Sequence, residues 1–273
     1  MKQLIIIGGG NMGFAIADGI VRKGLFPKNK ILFFEKNLKR INFLKKKKYF
    51  ASNNVISTLS ENKKNIEAVI LAVKPNNLKE VADILKDAIP KNALIISILA
   101  GVKIKSIESY FDDKRPVVRV MPNTPCQIGK GISALTYNKN VNKERKELVK
   151  NIFGSIGKIV EVKENELDIV TALSGSGPAY FCYFIESLVA SGEKLGLSQK
   201  LSYDLAFQTA VGTLFLLDKQ NIKPEELRQN VTSPKGTTEA ALKTFKEKKF
   251  DKMVFCGIKA ARDRSVELGK LNK

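Results

Sequence analysis

Three glycines near the start of the chain, Gly8, Gly10 and Gly13, stand in the spacing G-x-G-x-x-G. In that spacing the first glycine permits a tight turn, the second lets a backbone approach a pyrophosphate, and the third lets a helix pack closely on a sheet. The chemistry this suits is the binding of a dinucleotide by free N–H groups at a helix N-terminus. Gly8, Gly9, Gly10, Asn11, Met12 and Gly13 are the expected pyrophosphate site. Glu35 follows roughly 20 residues after the last glycine, where an acidic side chain accepts hydrogen bonds from an adenosine ribose. Lys36, Lys39 and Arg40 come directly behind it and suit either a ribose 2′-phosphate or a solvated helix start. The expected cofactor is NADPH or NADH, with Glu35 leaning toward NADH.

A second group of residues lies near the other end. Ser233-Pro234-Lys235-Gly236 reads as a turn, and Thr237 and Thr238 stand where a helix begins. Such a start offers unpaired N–H groups and hydroxyls to an anion, and a carboxylate fits. The plainer alternative is an ordinary cap, with Thr237 or Thr238 capping its own helix. Gly175-Ser176-Gly177-Pro178 reads as a helix entry whose small residues also permit a close approach to a ligand. Lys74 follows a strand at the carboxyl edge, where ligands of open α/β sheets bind, and suits a positioning or a catalytic role.

The chain has no histidine, which excludes Ser-His-Asp and Cys-His catalysis and histidine metal sites. A proton donor must then be a hydroxyl, a carboxyl group, a lysine, a water or the substrate itself. Cys126, Cys182 and Cys256 are far apart and odd in number, so neither a disulfide framework nor a metal site is expected. They read as buried or half-buried free thiols.

These groups need a scaffold. Apolar runs at 4–7, 31–34, 68–73, 94–98 and 117–120 read as strands, with weaker ones near 132–137 and 159–162. Helical patterns alternate with them, beginning with 11–24, where Gly24 is a plausible stop. Strands alternating with helices imply βαβ units and a doubly wound parallel sheet. After about residue 163 only helical periodicity remains. Helices are expected over 178–195 with Ser176 as cap, 201–217, 224–229, 237–248, and from Asp251 as cap to about 268. The helix over 201–217 is apolar nearly all round, which predicts burial in a domain core or a subunit interface. The expected organisation is an α/β fold with a dinucleotide-binding domain over 1–162 and an all-α domain over 163–273.

The chain has 273 residues, 44% of them hydrophobic, ample for such a core. No stretch approaches the roughly 20 apolar residues that span a bilayer, so a cytoplasmic protein without a membrane partner is expected. The net charge of +20 raises the possibility of nucleic acid. The lysines are scattered over many helices and no reader motif accompanies them, so no specific nucleic-acid partner is expected. The charge favours anionic small molecules instead.

Taken together, Gly10-Asn11-Met12-Gly13, Ala72-Val73-Lys74-Pro75, Met121-Pro122-Asn123-Thr124-Pro125 and Leu173 to Tyr180 resemble the pyrroline-5-carboxylate reductases. So does Val231 to Leu242, the most specific segment because it lies outside the common nucleotide fold. The resemblance covers essentially the whole chain. It implies a Rossmann-type N-terminal domain, a helical C-terminal domain that builds a homodimer or higher homo-oligomer, and hydride transfer from NAD(P)H to the C=N of Δ1-pyrroline-5-carboxylate, giving proline. It also implies that Ala72, Val73, Lys74, Pro75 and Ala100 line the nicotinamide side and that Asn230 touches the cofactor. Ser233, Gly236, Thr237 and Thr238 would then hold the substrate, with Glu164 near the ring. Thr238 would hydrogen-bond the ring nitrogen and act on its proton. Lys235 departs from the family, which usually shows glycine there, so the local backbone is the point to inspect. The alternatives are a related cyclic-imine or hydroxy-acid oxidoreductase and, from another class, a non-enzymatic dinucleotide sensor or nucleic-acid-binding protein. The hydroxy-acid enzymes need a lysine on a long interdomain helix, and here that region has none before Lys194.

Overall fold

The computed structural model describes residues 2–54, 59, 65–111 and 114–271. By contact the chain divides into two compact units, residues 1–176 with 261–273, and residues 177–260.

Among the described residues of the first unit, eight strands form one sheet. They are β1 (Gln3–Ile7), β2 (Ile31–Phe34), β3 (Phe50–Ser52), β4 (Ile66–Leu71), β5 (Leu94–Ser97), β6 (Val117–Met121), β7 (Gly131–Tyr137) and β8 (Gly157–Glu161). Their order across the sheet is β3-β2-β1-β4-β5-β6-β7-β8. Every residue of β1 is buried, as a central parallel strand requires. Its side chains alternate between two cores. Leu4 and Ile6 join Phe33, Ile70 and Ile96 on one face. Ile5 and Ile7 join Leu32, Val69 and Ile95 on the other.

Helices cover both faces. The first core takes Ile16 and Ile20 of α1 (Asn11–Arg22), Ile41 and Leu44 of α2 (Leu38–Lys46), and Ile152 and Phe153 of α5 (Lys143–Gly154). The second takes Leu78 and Leu85 of α3 (Leu78–Ala88) and Ile107 of α4 (Ile104–Phe111). Each fully buried aliphatic side chain of this kind contributes about 1.5–3 kcal/mol. The helical start expected at Asn11 is where α1 begins, and Gly24 takes φ +68 just beyond its end.

The sheet departs from the expected all-parallel form at one place. β6 pairs with β7 antiparallel, and β8 then runs parallel to β7. The cause is local. Pro125 stands in the first turn of a 3-10 helix, Thr124–Ile128, which ends on Gly129 at φ +72. A short reversal replaces the long crossover that a parallel neighbour needs. The edge strand β3 is a further addition, too short at three residues for a period to be read from it. The last strand ends at Glu161, where strands give way to helices.

Beyond β8 a 3-10 turn, Glu164–Glu166, leads into α6 (Leu167–Val170) and a π-helical turn, Thr171–Gly175. The expected cap at Ser176 is not formed. Ser176, between the π-helical turn and the next helix, has αR backbone angles and not the extended ones of an N-cap, and its N–H donates to the Thr171 carbonyl, so the chain enters the next helix through a wide turn instead of a capped start.

The second unit is helical throughout. It holds α7 (Gly177–Lys194), α8 (Gln199–Gln220), α9 (Pro224–Asn230), α10 (Thr237–Glu247) and the first part of α11 (Phe250–Leu271). Ser198 caps α8 by accepting from the Leu201 N–H. Asp251 lies in the first turn of α11 and not at its cap. Of the two settings expected for the apolar α8, a domain core or a subunit interface, the chain's own core does not supply the first. Leu205, Leu214 and Phe215 are 53%, 54% and 62% exposed. The cysteines differ from expectation too: Cys126 is buried, but Cys182 and Cys256 are exposed. Among the described residues no helix is long and apolar enough to cross a membrane.

Candidate active site

The glycine turn joins β1 to α1, and each glycine has a separate cause. Gly8 takes φ +101, and a Cβ there would lie 2.4 Å from the Ala72 carbonyl oxygen. A Cβ on Gly13 would lie 2.2 Å from the Gly8 carbonyl oxygen, so helix and turn touch through bare backbone. Gly10 differs from both. Among the described residues, nothing beyond its own chain neighbours comes within 4 Å of a Cβ built on it. Gly10 is also the N-cap of α1 and supplies no side-chain cap. The first N–H groups of α1 are therefore open to a ligand, and the positive end of the helix dipole favours an anion there. An open Gly10 beside a crowded Gly8 fits a pyrophosphate that must approach the backbone closely. Asn11 and Met12 form the first turn of α1.

Gly9 serves its neighbours. Its N–H donates to Glu35 Oε2 at 2.8 Å, and its carbonyl accepts from the Arg40 guanidinium. Arg40 also lies over the Phe43 ring, 4.3 Å from its centroid. Glu35 Oε1 accepts the Asn37 N–H at 2.9 Å. Lys36 pairs with Glu80 of α3. Gly8, Gly10, Glu35, Lys36, Ala72, Val73 and Lys74 share one cleft of about 600 Å³ at the carboxyl edge of the sheet. Pro75 opens the 3-10 turn Pro75–Asn77 just beyond it. Ala100 is half-buried on the loop after β5, and its neighbour Gly101 lies against Ser265 and Gly269 of α11. Strands β1, β4 and β5 are adjacent and parallel, so the loops bearing Gly8, Ala72 and Ala100 lie along the same edge.

Glu164 belongs to a network in the first unit that sequence alone did not anticipate. Its Oε1 accepts the Ile104 N–H at 2.6 Å, at the start of α4, and lies 3.6 Å from the Arg119 guanidinium. Arg119 projects from β6 with a side chain only 4% exposed, and its other amine is 3.8 Å from Asp168. Ser265 of α11 donates to Asp168 at 2.8 Å. Burial lowers the Arg119 pKa, while Glu164 and Asp168 oppose that shift. The signal for this network was one arginine among the valines of an otherwise apolar strand.

The other sequence-predicted residues lie in the second unit. Asn230 ends α9 and is exposed. Gly236 is the N-cap of α10, without a side-chain cap hydrogen bond, and Thr237 and Thr238 are the first two helical residues. The alternative in which either threonine caps its own helix is therefore not what forms. Ser233 lies close above the cap, since a Cβ on Gly236 would come 2.6 Å from Ser233 Oγ. Lys235 resolves the question that its departure from glycine raised. It takes φ +59, the left-handed conformation that glycine adopts freely, and its N–H donates to Glu239 Oε2 at 2.8 Å. The backbone turn is made in spite of the lysine.

Known proteins match both parts of the chain. A family model described as pyrroline-5-carboxylate reductase dimerisation matches residues 164–268, and one described as NADP oxidoreductase, coenzyme F420-dependent, matches residues 3–101. The chain is 35% identical over 270 residues to pyrroline-5-carboxylate reductase 1 of Bacillus subtilis (strain 168), covering 98% of this chain and 90% of that one. Among solved structures, a pyrroline-5-carboxylate reductase from Coxiella burnetii matches with a TM-score of 0.88 at 33% identity, covering 98% of each chain. The Plasmodium falciparum pyrroline carboxylate reductase with NADP bound matches with a TM-score of 0.84, also at 33% identity and 98% of each chain.

Proposed function

The chain belongs to the pyrroline-5-carboxylate reductase family, and we propose on that basis that it reduces Δ1-pyrroline-5-carboxylate to L-proline with NADPH or NADH, the last step of proline biosynthesis. When bound, the cofactor supplies the hydride that reduces the C=N bond. Residues 1–162 act as the dinucleotide-binding domain and residues 163–273 as the helical substrate and dimerisation domain.

The residues act as follows. Gly8 to Gly13 hold the pyrophosphate through the open start of α1, and Glu35 and Lys36 meet the adenosine end. Ala72 to Pro75 and Ala100 line the nicotinamide side, and Asn230 touches the cofactor. Ser233, Gly236, Thr237 and Thr238 hold the substrate carboxylate and ring. The Thr238 hydroxyl hydrogen-bonds the ring nitrogen and holds its proton, a role that a chain without histidine must give to another group. Glu164 serves the substrate side as a positioning residue, its carboxylate holding the Ile104 N–H and facing Arg119. A protonated cyclic imine accepts hydride readily, so positioning and exclusion of water are the protein's main contributions.

The observation that carries this reading is the start of α10. With Gly236 at the cap, Thr237 and Thr238 keep their hydroxyls and the first N–H groups of the helix for an anion. The exposed apolar residues of the helical unit, among them Phe181, Tyr183 and Phe255, support a homodimer or higher homo-oligomer. Its place is the cytoplasm. The lysine excess serves to attract anionic small molecules and not a specific nucleic acid. A panel of cyclic imines and 3-hydroxy acids, assayed with NADH and with NADPH, tests the reading. Oxidation of cofactor with pyrroline-5-carboxylate as the best substrate supports it. A preference for a larger imine or a hydroxy acid assigns the chain to another reaction.

A further inference from the structure

The cleft beside the glycine turn has two walls at its outer end. One is the end of β2 with Glu35 and Lys36. The other is the first turn of α3, with Asn77 and Glu80. Lys36 and Glu80 are joined by a charge-assisted hydrogen bond from one wall to the other.

The end of β2 is where this fold separates the two nicotinamide cofactors. A ribose 2′-phosphate needs cations and N–H donors there, whereas a free 2′-hydroxyl needs an acceptor. In this chain the protein's own carboxylates have taken three of those donors, the N–H groups of Gly9 and Asn37 and the Lys36 ammonium. Glu35 accepts the Gly9 N–H at 2.8 Å and the Asn37 N–H at 2.9 Å. Glu80 takes the Lys36 ammonium. Arg40 is turned to the Gly9 carbonyl and lies 4.3 Å from the centroid of the Phe43 ring. A 2′-phosphate arriving here would meet two carboxylates and would have to displace Glu80 from Lys36. A ribose hydroxyl meets no such opposition, because each Glu35 oxygen has a second lone pair to offer.

We propose that Glu80 is a determinant of cofactor preference, setting this chain toward NADH by holding Lys36 away from a 2′-phosphate. The proposal rests on the dinucleotide reading given above and adds to it a residue on α3, outside the glycine turn and the end of β2.

The test is a fluorescence titration of the full-length protein with NADH and with NADPH, at one fixed ionic strength. The wild type is expected to bind NADH more tightly. Glu80→Gln, which removes the charge and keeps the shape, is expected to tighten NADPH by roughly three- to tenfold, the range spanned by an exposed ion pair and a charge-assisted hydrogen bond. NADH affinity should change by less than about twofold, because its ribose is held by Glu35 and carries no 2′-phosphate for the Lys36 ammonium to pair with. Adding Lys36→Met to Glu80→Gln should abolish the gain, which shows that the freed ammonium causes it. A wild type that prefers NADPH, or a Glu80→Gln protein with an unchanged NADPH to NADH ratio, overturns the proposal while leaving the dinucleotide reading intact. Failure of either dinucleotide to bind the folded wild type removes the reading and the proposal together.

Discussion

Ser265 and Asp168 are hydrogen-bonded at 2.8 Å although 97 positions separate them in the chain. The bond fastens the C-terminal end of α11 to the short helix α6, and Asp168 passes the contact on to the buried Arg119. Ser265 is itself only 5% exposed, so water cannot readily replace it. Ser265→Ala is expected to lower the unfolding free energy by about 1–3 kcal/mol, the usual result of leaving a buried polar partner unsatisfied. Arg119→Met leaves two carboxylates without their cation and should cost more, about 3–5 kcal/mol. Denaturant unfolding of both variants measures this. A Ser265→Ala protein as stable as the wild type would show that the bond adds nothing.

The glycine turn offers a separation of folding from binding. Gly10→Ala meets open space, so its cost to the fold is that of a poorer N-cap, about 1 kcal/mol. Its methyl would stand where the pyrophosphate approaches, and affinity for NAD(P)H should fall more than about tenfold. Gly13→Ala forces a methyl onto the Gly8 carbonyl and should damage fold and binding together. Thermal melts beside cofactor titrations distinguish the two. Unchanged affinity in Gly10→Ala would mean that no phosphate sits at this turn.

Thr238 caps nothing and is half-buried, so its removal should be felt in chemistry more than in stability. Thr238→Ala is expected to reduce turnover or substrate affinity by roughly 10–1000-fold, the range for one positioned hydrogen bond in a site shielded from water. Its unfolding free energy should stay within about 0.5 kcal/mol of the wild type, as for a substitution away from any structural contact. Steady-state kinetics with a parallel stability measurement decides the matter, and wild-type kinetics would end the assignment.

Lys235 holds φ +59, a conformation that costs an L-residue about 1–2 kcal/mol. Glycine removes that cost and returns about 0.5–1 kcal/mol as lost chain freedom. Lys235→Gly should therefore stabilise the protein by about 0.5–1 kcal/mol, while Lys235→Val, branched at Cβ, should destabilise it. A drop in stability with glycine would show that the lysine side chain contributes more than its backbone costs.

The sheet was largely legible in the sequence because its strands are buried on both faces and read as unbroken apolar runs, as 4–7 and 31–34 do. The glycine turn was legible because Gly8 and Gly13 answer steric demands that nothing larger can meet, and Gly10 completes their spacing. The antiparallel placing of β7 was not, since the residue pattern of a strand reads the same in either direction and only the turn over Thr124–Ile128 decides it. The Arg119–Asp168–Ser265 network stayed hidden for another reason. Its members come from distant segments, and no local spacing connects a strand arginine to a serine on the last helix. The apolar circumference of α8 was visible, but whether it meets its own core or another surface is not a property of one helix.

Purified protein, given Δ1-pyrroline-5-carboxylate and NADH or NADPH, should consume the cofactor at 340 nm and form L-proline in equal amount. Cofactor left unconsumed with this substrate, by folded protein that binds the dinucleotide, would contradict the account.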